Sequence, residues 1–202
     1  MFRELALRLW ALLTAPGREW EKIAASPEEP CRLFVRWVLP LASIPLISAL
    51  IGFTLIAPAF ITLVPEFAIR LHNGLAYGLM LALVSMLGVY VAAFAHSMTV
   101  QALGGKGRYG LSLELYARSW APVWLGGVLY LVPSLGGFSL VASLVSLWLL
   151  FRGVQAVLGV KGRKALEQTA LAAGIIFVLY LLLYLVVSAV LREVFSGGVF
   201  LQ

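Results

Sequence analysis

Charged residues are scarce in this 202-residue chain. Only 12% of its residues are Asp, Glu, Lys or Arg, whereas 62% are hydrophobic and the mean hydropathy is +0.99. A soluble domain usually contains about 25% charged residues. Because so few charges cannot cover a water-exposed surface, the composition excludes an ordinary soluble domain and predicts a polytopic membrane protein.

Cysteine is almost absent as well, since Cys31 stands alone. A single cysteine cannot form an intramolecular disulfide, and it has no companion at metal-ligand spacing. The sequence offers no nucleophile, base and metal set, and the glycine–lysine turn Gly105–Gly107 lacks the full phosphate-loop pattern. We therefore predict no catalytic residue, no metal, no cofactor and no enzyme activity.

Ionisable residues are also missing from the central turns of four of the five long apolar runs, the second to the fifth. Ion-coupled transporters usually need such groups deep in the bundle, which disfavours transport through a proton relay. The net charge of +6 could indicate nucleic-acid binding. The basic residues, however, flank the apolar runs and do not form a separate domain with stacking aromatics, so we expect no nucleic-acid partner.

The five apolar runs predict the fold class. Each is close to the roughly 20 helical residues that cross a bilayer, and they lie at about 33–57, 75–100, 113–132, 138–158 and 170–191. They lack the short alternating pattern of barrel strands, so we predict an all-α polytopic bundle of five transmembrane helices. Residues 1–32 are predicted to form an amphipathic, interfacial amino-terminal segment, and residues 33–202 the transmembrane domain.

Basic residues predict the orientation of these spans. Thirteen of the 15 Lys and Arg residues lie in the amino-terminal segment and in the second and fourth connections, and only Arg70 and Arg192 lie on the other side. The positive-inside rule then places the amino terminus in the cytosol and the carboxyl terminus outside the inner membrane.

A few polar residues are predicted to meet at the cytosolic ends of the spans. Glu114 and Arg118 are four residues apart with the acid first, the better order for a helical ion pair. Arg118, Arg152 and His96 lie near the ends of three different spans, and basic pockets between spans bind lipid phosphates. We hypothesise a mouth that binds an anionic headgroup or an acidic partner. The alternative is an interfacial salt bridge with no binding role.

Serines follow one side of the fourth predicted span. Ser139, Ser143 and Ser146 could line a polar groove, although serine at this spacing is more often used for helix-to-helix packing. Tyr180, Tyr184 and Ser188 on the fifth span have the same two interpretations, with packing favoured.

Three segments between Gly104 and Ala165 stand out, namely the glycine turn GGKGRYG, LVPSLGGF and SLWLLFRGVQAVLGVKGRKA, and upstream of them lies LLTAPGREWEKIAASP. In these segments the chain resembles the Yip family, the Ypt/Rab-interacting integral membrane proteins, in its prokaryotic form. The residues that carry the family motifs are Gly104, Gly105, Tyr109, Tyr116, Pro122, Pro133 and Gly153.

This resemblance implies five spans, a cytosolic amino terminus and no catalysis. Eukaryotic relatives bind prenylated Rab GTPases, but this chain lacks their long acidic cytosolic region, so that role is not carried over. The resemblance implies a membrane scaffold or adaptor that organises proteins or lipids through its cytosolic loops. Its expected partners are membrane lipids, and other membrane proteins or further copies of itself. The alternative is a small transporter or channel for a lipid or an apolar solute.

Overall fold

A computed structural model of the protein describes residues 2–56, 67–102 and 108–196, and these residues form helices and turns. The α-helices are α1 Phe2–Thr14, α2 Pro16–Ala25, α3 Pro30–Leu33, α4 Leu39–Ile51, α5 Phe67–Ala102, α6 Tyr109–Ser119, α7 Ala121–Gly126, α8 Ser139–Leu158 and α9 Arg163–Ser196. The predicted all-α helical bundle is confirmed.

The amino-terminal segment is a pair of helices that packs on the rest of the bundle. Pro16 begins α2, where its missing N–H costs nothing and its fixed φ suits a first helical turn. Leu12, Trp20 and the α2 side chains around them are buried in the common core, and α2 packs against α8. Leu7 and Trp10 remain on the outer side of α1, 60% and 68% exposed. The segment therefore presents two apolar faces, one of which covers the bundle.

Two π-helical turns interrupt the helical stretch Pro30–Ile56. Phe34–Val38 precedes α4, and Gly52–Ile56 follows it. In the first turn the N–H of Leu39 donates to the carbonyl of Phe34, five residues back, directly before Pro40. A proline removes one helical hydrogen bond and crowds the preceding turn, which explains why the regular α-helical ladder gives way here.

Among the residues that the structure describes, four helical stretches are long and apolar enough to cross a membrane, namely Pro30–Ile56, Gly74–Ala102, Leu140–Leu158 and Arg163–Leu183. The third predicted span, 113–132, is not among them, so the count of five is not confirmed. In that region α6 ends at Ser119, α7 ends at Gly126, and a 3₁₀ turn covers Gly127–Leu131. Pro122 and two adjacent glycines break the apolar run into short pieces.

The turn between α8 and α9 depends on two glycines in the left-handed region. Gly159 has φ 65° and Gly162 has φ 58°. A non-glycine residue rarely adopts such angles, so these glycines end α8 and allow the chain to return as α9, which packs against it.

Helix α6 lies at the centre of the bundle. Every residue from Ser112 to Ser119 is buried, and α6 packs against α3, α5 and α8. Because this helix carries polar residues, their side chains must find partners inside the protein or stay unsatisfied.

Candidate functional site

A charged cluster surrounds one side of α6, formed by Arg8, Glu28, Glu114 and Arg118. Arg118 Nε donates to Glu114 Oε2 at 2.5 Å, and the two residues are 2% and 0% exposed. The other carboxylate oxygen of Glu114 accepts a 2.6 Å hydrogen bond from the backbone N–H of Glu28. Glu28 in turn lies 3.5 Å from Arg118 Nη2 and forms an ion pair with Arg8. The predicted Glu114–Arg118 pair is thus present, and it is sealed inside the protein beneath the amino-terminal segment.

An aromatic ring completes the surroundings of Arg118. Its guanidinium carbon lies 4.7 Å from the centre of the Trp37 ring, a geometry that attracts a cation to the face of an indole. The Trp37 indole N–H donates to the carbonyl of Ala117 at 3.1 Å, which fixes the ring beside α6. Arg118 is therefore held by two carboxylates and one ring.

The electrostatics of the cluster act on Glu28. Burial alone would raise the pKa of the Glu28 carboxyl, but the hydrogen bond from Arg8 and the charges of Arg118 and Arg8 outweigh it, so that this pKa lies below its ordinary value of 4.5. Burial would lower the pKa of Arg8, but its hydrogen bond and ion pair with Glu28 raise it overall. Both groups are stabilised in their charged forms.

The other two members of the predicted mouth lie elsewhere. His96 is fully buried, with Nδ1 3.3 Å from Ser112 Oγ and its ring edge-on to Tyr116 at 5.5 Å between centroids. Arg152 is exposed beside α2, where its Nη2 lies 3.3 Å from the position of a Cβ added at Gly17. Within the described ranges, no hydrogen bond, ion pair or ring contact joins His96 or Arg152 to Arg118. Anion binding by these residues stays a prediction.

Of the family-motif residues, Gly104 and Gly105 lie outside the described residues. Tyr109 begins α6, and Pro133 begins a 3₁₀ turn, Pro133–Phe138. Pro122 is buried in the first turn of α7.

Two further motif residues are at the centre of the packing. The hydroxyl of Tyr116 donates to the carbonyl of Ala172 on α9 at 3.4 Å. Gly153 lets α8 approach both α6 and α2 closely, because a Cβ there would lie 2.5 Å from Leu115 Cδ1 and 2.9 Å from the Trp20 ring. The hydrogen bond joins α6 to α9, and the close approach at Gly153 joins the amino-terminal segment to the bundle.

On the other side of α6 the structure contains a cavity of about 700 Å³, large enough for a drug-sized apolar molecule. It is lined by residues of α5, α8 and α9, by Pro45 of α4, and by residues of the segment 109–131, which contains α6 and α7 and is called the α6–α7 segment. Most of the lining is apolar, for example Val84, Leu147 and Ile176. Leu144 and Phe177, 68% and 70% exposed, stand at its edge, so the cavity opens on the outer surface of the candidate spans α8 and α9.

The sequence analysis did not predict this apolar cavity. Of the three serines that follow one side of α8, Ser143 and Ser146 line it, whereas the side chain of Ser139 lies outside the described part. The wall formed by α6 and α7 was missed. Its members, Tyr116, Ser119, Trp120, Val123 and Trp124, recur at spacings of three and four, which is the signal of one helical face that could have revealed it.

The family model described as the Yip1 domain matches residues 10–191 of the chain. Neither a curated protein nor a solved structure matches this chain. The matched range includes the charged cluster from Glu28 onward, the whole cavity and all four candidate spans.

Proposed function

The chain belongs to the Yip1 domain family, and from that premise we propose that it is a non-enzymatic membrane adaptor that holds one lipid chain in the cavity beside α6. The family consists of membrane proteins that are generally non-enzymatic. A scaffold that organises lipids or proteins needs a place to hold them, and the cavity supplies one.

The cavity is the observation that carries the proposal. It is apolar and opens between candidate spans, where the surrounding medium is hydrocarbon. The described residues that line it include no Asp, Glu, Lys or Arg. Such a lining suits an acyl or isoprenoid chain and offers nothing that would stabilise an ion.

We propose transport of the same lipid as the second candidate. It is favoured by the broken helix, since discontinuous helices often line the substrate sites of transporters. The pieces α6 and α7 both contribute to the cavity wall, through Tyr116 and Trp124 for instance. A reconstituted vesicle assay separates the two functions, because a transporter moves a fluorescent lipid between leaflets and an adaptor only retains it.

The proposed topology has the α6–α7 segment as a fifth, broken crossing, with the amino terminus in the cytosol. Its support is the distribution of Lys and Arg along the sequence. Cys31, which is exposed, is first replaced by serine. New cysteines beside Lys106 and Lys161 should then react only with reagent that reaches the cytosolic face. Labelling from outside at either position would contradict the topology.

Filling the cavity tests the lipid-binding proposal. Ala173 on α9 lines the cavity, so Ala173→Trp places an indole where the lipid chain would lie. Native mass spectrometry of the gently extracted protein should find a lipid on the wild type and lose most of it in this variant.

Gly174→Trp is the matched control. It adds the same ring one residue further along α9, where a Cβ meets nothing within 4 Å, and it should leave lipid retention unchanged. If Ala173→Trp and the wild type unfold at the same temperature and retain equal amounts of lipid, the lipid-binding proposal is wrong.

A further inference from the structure

Three residues that line the cavity each carry a buried polar atom with no hydrogen-bond partner among the described residues. The atoms are Ser119 Oγ, Ser146 Oγ and Trp120 Nε1, and all three residues line the cavity. The two serines are 2% and 4% exposed. Polar atoms this deeply buried are nearly always paired in folded proteins.

The two serines differ from six other hydroxyl residues of the described helices. The usual solution in these helices is a bond to a carbonyl three or four residues back. It is used by Thr14, Ser43, Ser85, Ser97, Thr99 and Thr169. Ser119 and Ser146 do not use it, although this bond is open to any helical serine.

Other polar groups around the cavity are already engaged. Trp124 Nε1 donates to Ser85 Oγ at 3.0 Å, and the hydroxyl of Tyr180 lies 3.5 Å from the carbonyl of Ser85. Unpartnered atoms also occur elsewhere, on Trp20 and His96 for example, but these residues are not part of the cavity lining. Of the seven unpartnered buried side-chain atoms in the described part of the protein, three thus belong to residues that line this one cavity.

The chemistry of these groups restricts the ligand. An indole N–H can only donate, and a hydroxyl can donate or accept, so the missing partner must include an acceptor. Neither a charged residue nor histidine lines the cavity within the described ranges. A charged headgroup would therefore lose its hydration without compensation.

We propose that the cavity selects a neutral lipid whose hydroxyl or ester carbonyl oxygen accepts from Trp120 Nε1 and pairs with the hydroxyls of Ser119 and Ser146. Neighbouring groups cover these three atoms, and rotation of the side chains of Ser119, Ser146 and Trp120 turns them toward the lipid. The hydrocarbon chain then lies along Leu147 and Ile176. This inference rests on the proposed lipid-binding function and names its ligand class.

Three probes with related chains test it on the purified full chain in micelles. Dioleoylglycerol has neutral acceptors, dioleoyl phosphatidic acid has the same chains with an anionic head, and squalene has no acceptor. Native mass spectrometry should show the wild type retaining dioleoylglycerol in preference to both others. Ser119→Ala with Ser146→Ala should lower this retention at least about fivefold, the effect of losing one ordinary hydrogen bond, and leave squalene unchanged.

Trp120→Phe keeps an aromatic ring for the stacking contact with Tyr180, whose centroid lies 5.0 Å away, while removing the donor. It should lower dioleoylglycerol retention similarly. The control pair is Ser43→Ala with Ser97→Ala, which removes two hydroxyls that bond within their own helices, and it should have no effect on any probe.

The outcomes distinguish this inference from the proposed lipid-binding function on which it rests. If the wild type retains all three probes equally, and Ala173→Trp loses them all, the cavity binds chains without reading the polar group and the inference is wrong. A preference for phosphatidic acid overturns it as well. Retention that Ala173→Trp does not reduce overturns both the inference and the proposed function.

Discussion

The two sides of α6 handle buried polarity in opposite ways. On one side, the carboxylates of Glu114 and Glu28 and the guanidinium of Arg118 are paired with one another and with Arg8. On the other side, Ser119 leaves its hydroxyl unpartnered within the described part of the protein. The charged groups, whose burial without a partner costs more free energy, are paired. The neutral hydroxyl, whose burial costs less, is not.

This difference separates structure from binding. A buried charge without a partner costs several kcal/mol, so a charged cluster must be complete for the fold to persist. A neutral hydroxyl costs about 1–3 kcal/mol, which a fold can tolerate at a site that a ligand completes. We therefore assign stability to the charged cluster and recognition to the cavity, and the predictions below are ordered by expected effect.

The largest effect should follow from breaking the charged cluster. Arg118→Met leaves Glu114 buried without its cation and should lower the free energy of unfolding by about 3–5 kcal/mol. Equilibrium unfolding in mixed micelles, followed by tryptophan fluorescence, measures this loss.

Removing both charges should restore most of that stability. In the double variant Glu114→Gln with Arg118→Met, the amide oxygen can still accept from the N–H of Glu28, and no unpaired charge remains on α6. If the double variant is as unstable as Arg118→Met alone, the charge imbalance is not the cause. Lipid retention at the cavity should be unchanged in the double variant.

Substitution of two glycines should have effects of opposite sign. Gly153→Ala forces a Cβ against Leu115 and the Trp20 ring, and overpacking of this kind costs about 1–3 kcal/mol. Gly174→Ala meets no neighbour within 4 Å and should gain up to about 1 kcal/mol from helix propensity. The same unfolding assay compares them, and an unchanged or higher stability of Gly153→Ala would contradict the close contact of α2 with α8.

A smaller effect on the free energy of unfolding should appear at acid pH, where the carboxylate of Glu28 becomes protonated. Because the folded protein lowers the pKa of this carboxyl below 4.5, the charged form contributes stability above that pH and the contribution is lost as the pH falls through the folded pKa. Glu28→Gln should flatten the loss of stability between about pH 5 and pH 3, whereas Glu21→Gln, at an exposed position of α2, should not. Identical acid profiles for the two variants would rule out Glu28 as the titrating group.

The smallest effect on stability is expected at Arg152. The side chain is exposed, so Arg152→Gln should change the free energy of unfolding by less than about 0.5 kcal/mol. If Arg152 contributes to an anion-binding mouth, co-purified anionic lipid should fall about fivefold, as expected for a contact worth about 1 kcal/mol. Lys161→Gln, another exposed cation, is the control. Unchanged lipid content in Arg152→Gln would leave this residue with a topological role only.

Much of the fold was predictable because long apolar runs have few alternatives in a membrane. The predicted span 33–57 nearly coincides with the candidate span Pro30–Ile56, and the predicted span 75–100 nearly coincides with Gly74–Ala102. The run at 113–132 is less hydrophobic, because it contains Glu114 and Arg118, and hydrophobicity alone does not report helix continuity. There Pro122 and the glycines at 126 and 127 decide the outcome, since a missing N–H and a missing Cβ each weaken the α-helix locally.

The candidate site was predictable only where it is local in sequence. A spacing of four residues identifies the Glu114–Arg118 pair, whereas its burial depends on Glu28, which is 86 residues away. The unsatisfied hydroxyls of Ser119 and Ser146 are a property of the tertiary structure. No sequence pattern distinguishes them from Ser43, which satisfies itself within its own helix.

The hydrogen bond from Glu28 to Glu114 also has a consequence for biosynthesis. The two partners are 86 positions apart, a stretch that takes on the order of ten seconds to translate at about 5–20 residues per second. During that interval α8, against which α2 packs, has not yet been made, so Trp20 lacks part of its final cover. A helix pair that is amphipathic can wait at the bilayer surface, so the pattern of this segment suits two successive environments, first the lipid interface and then the assembled bundle.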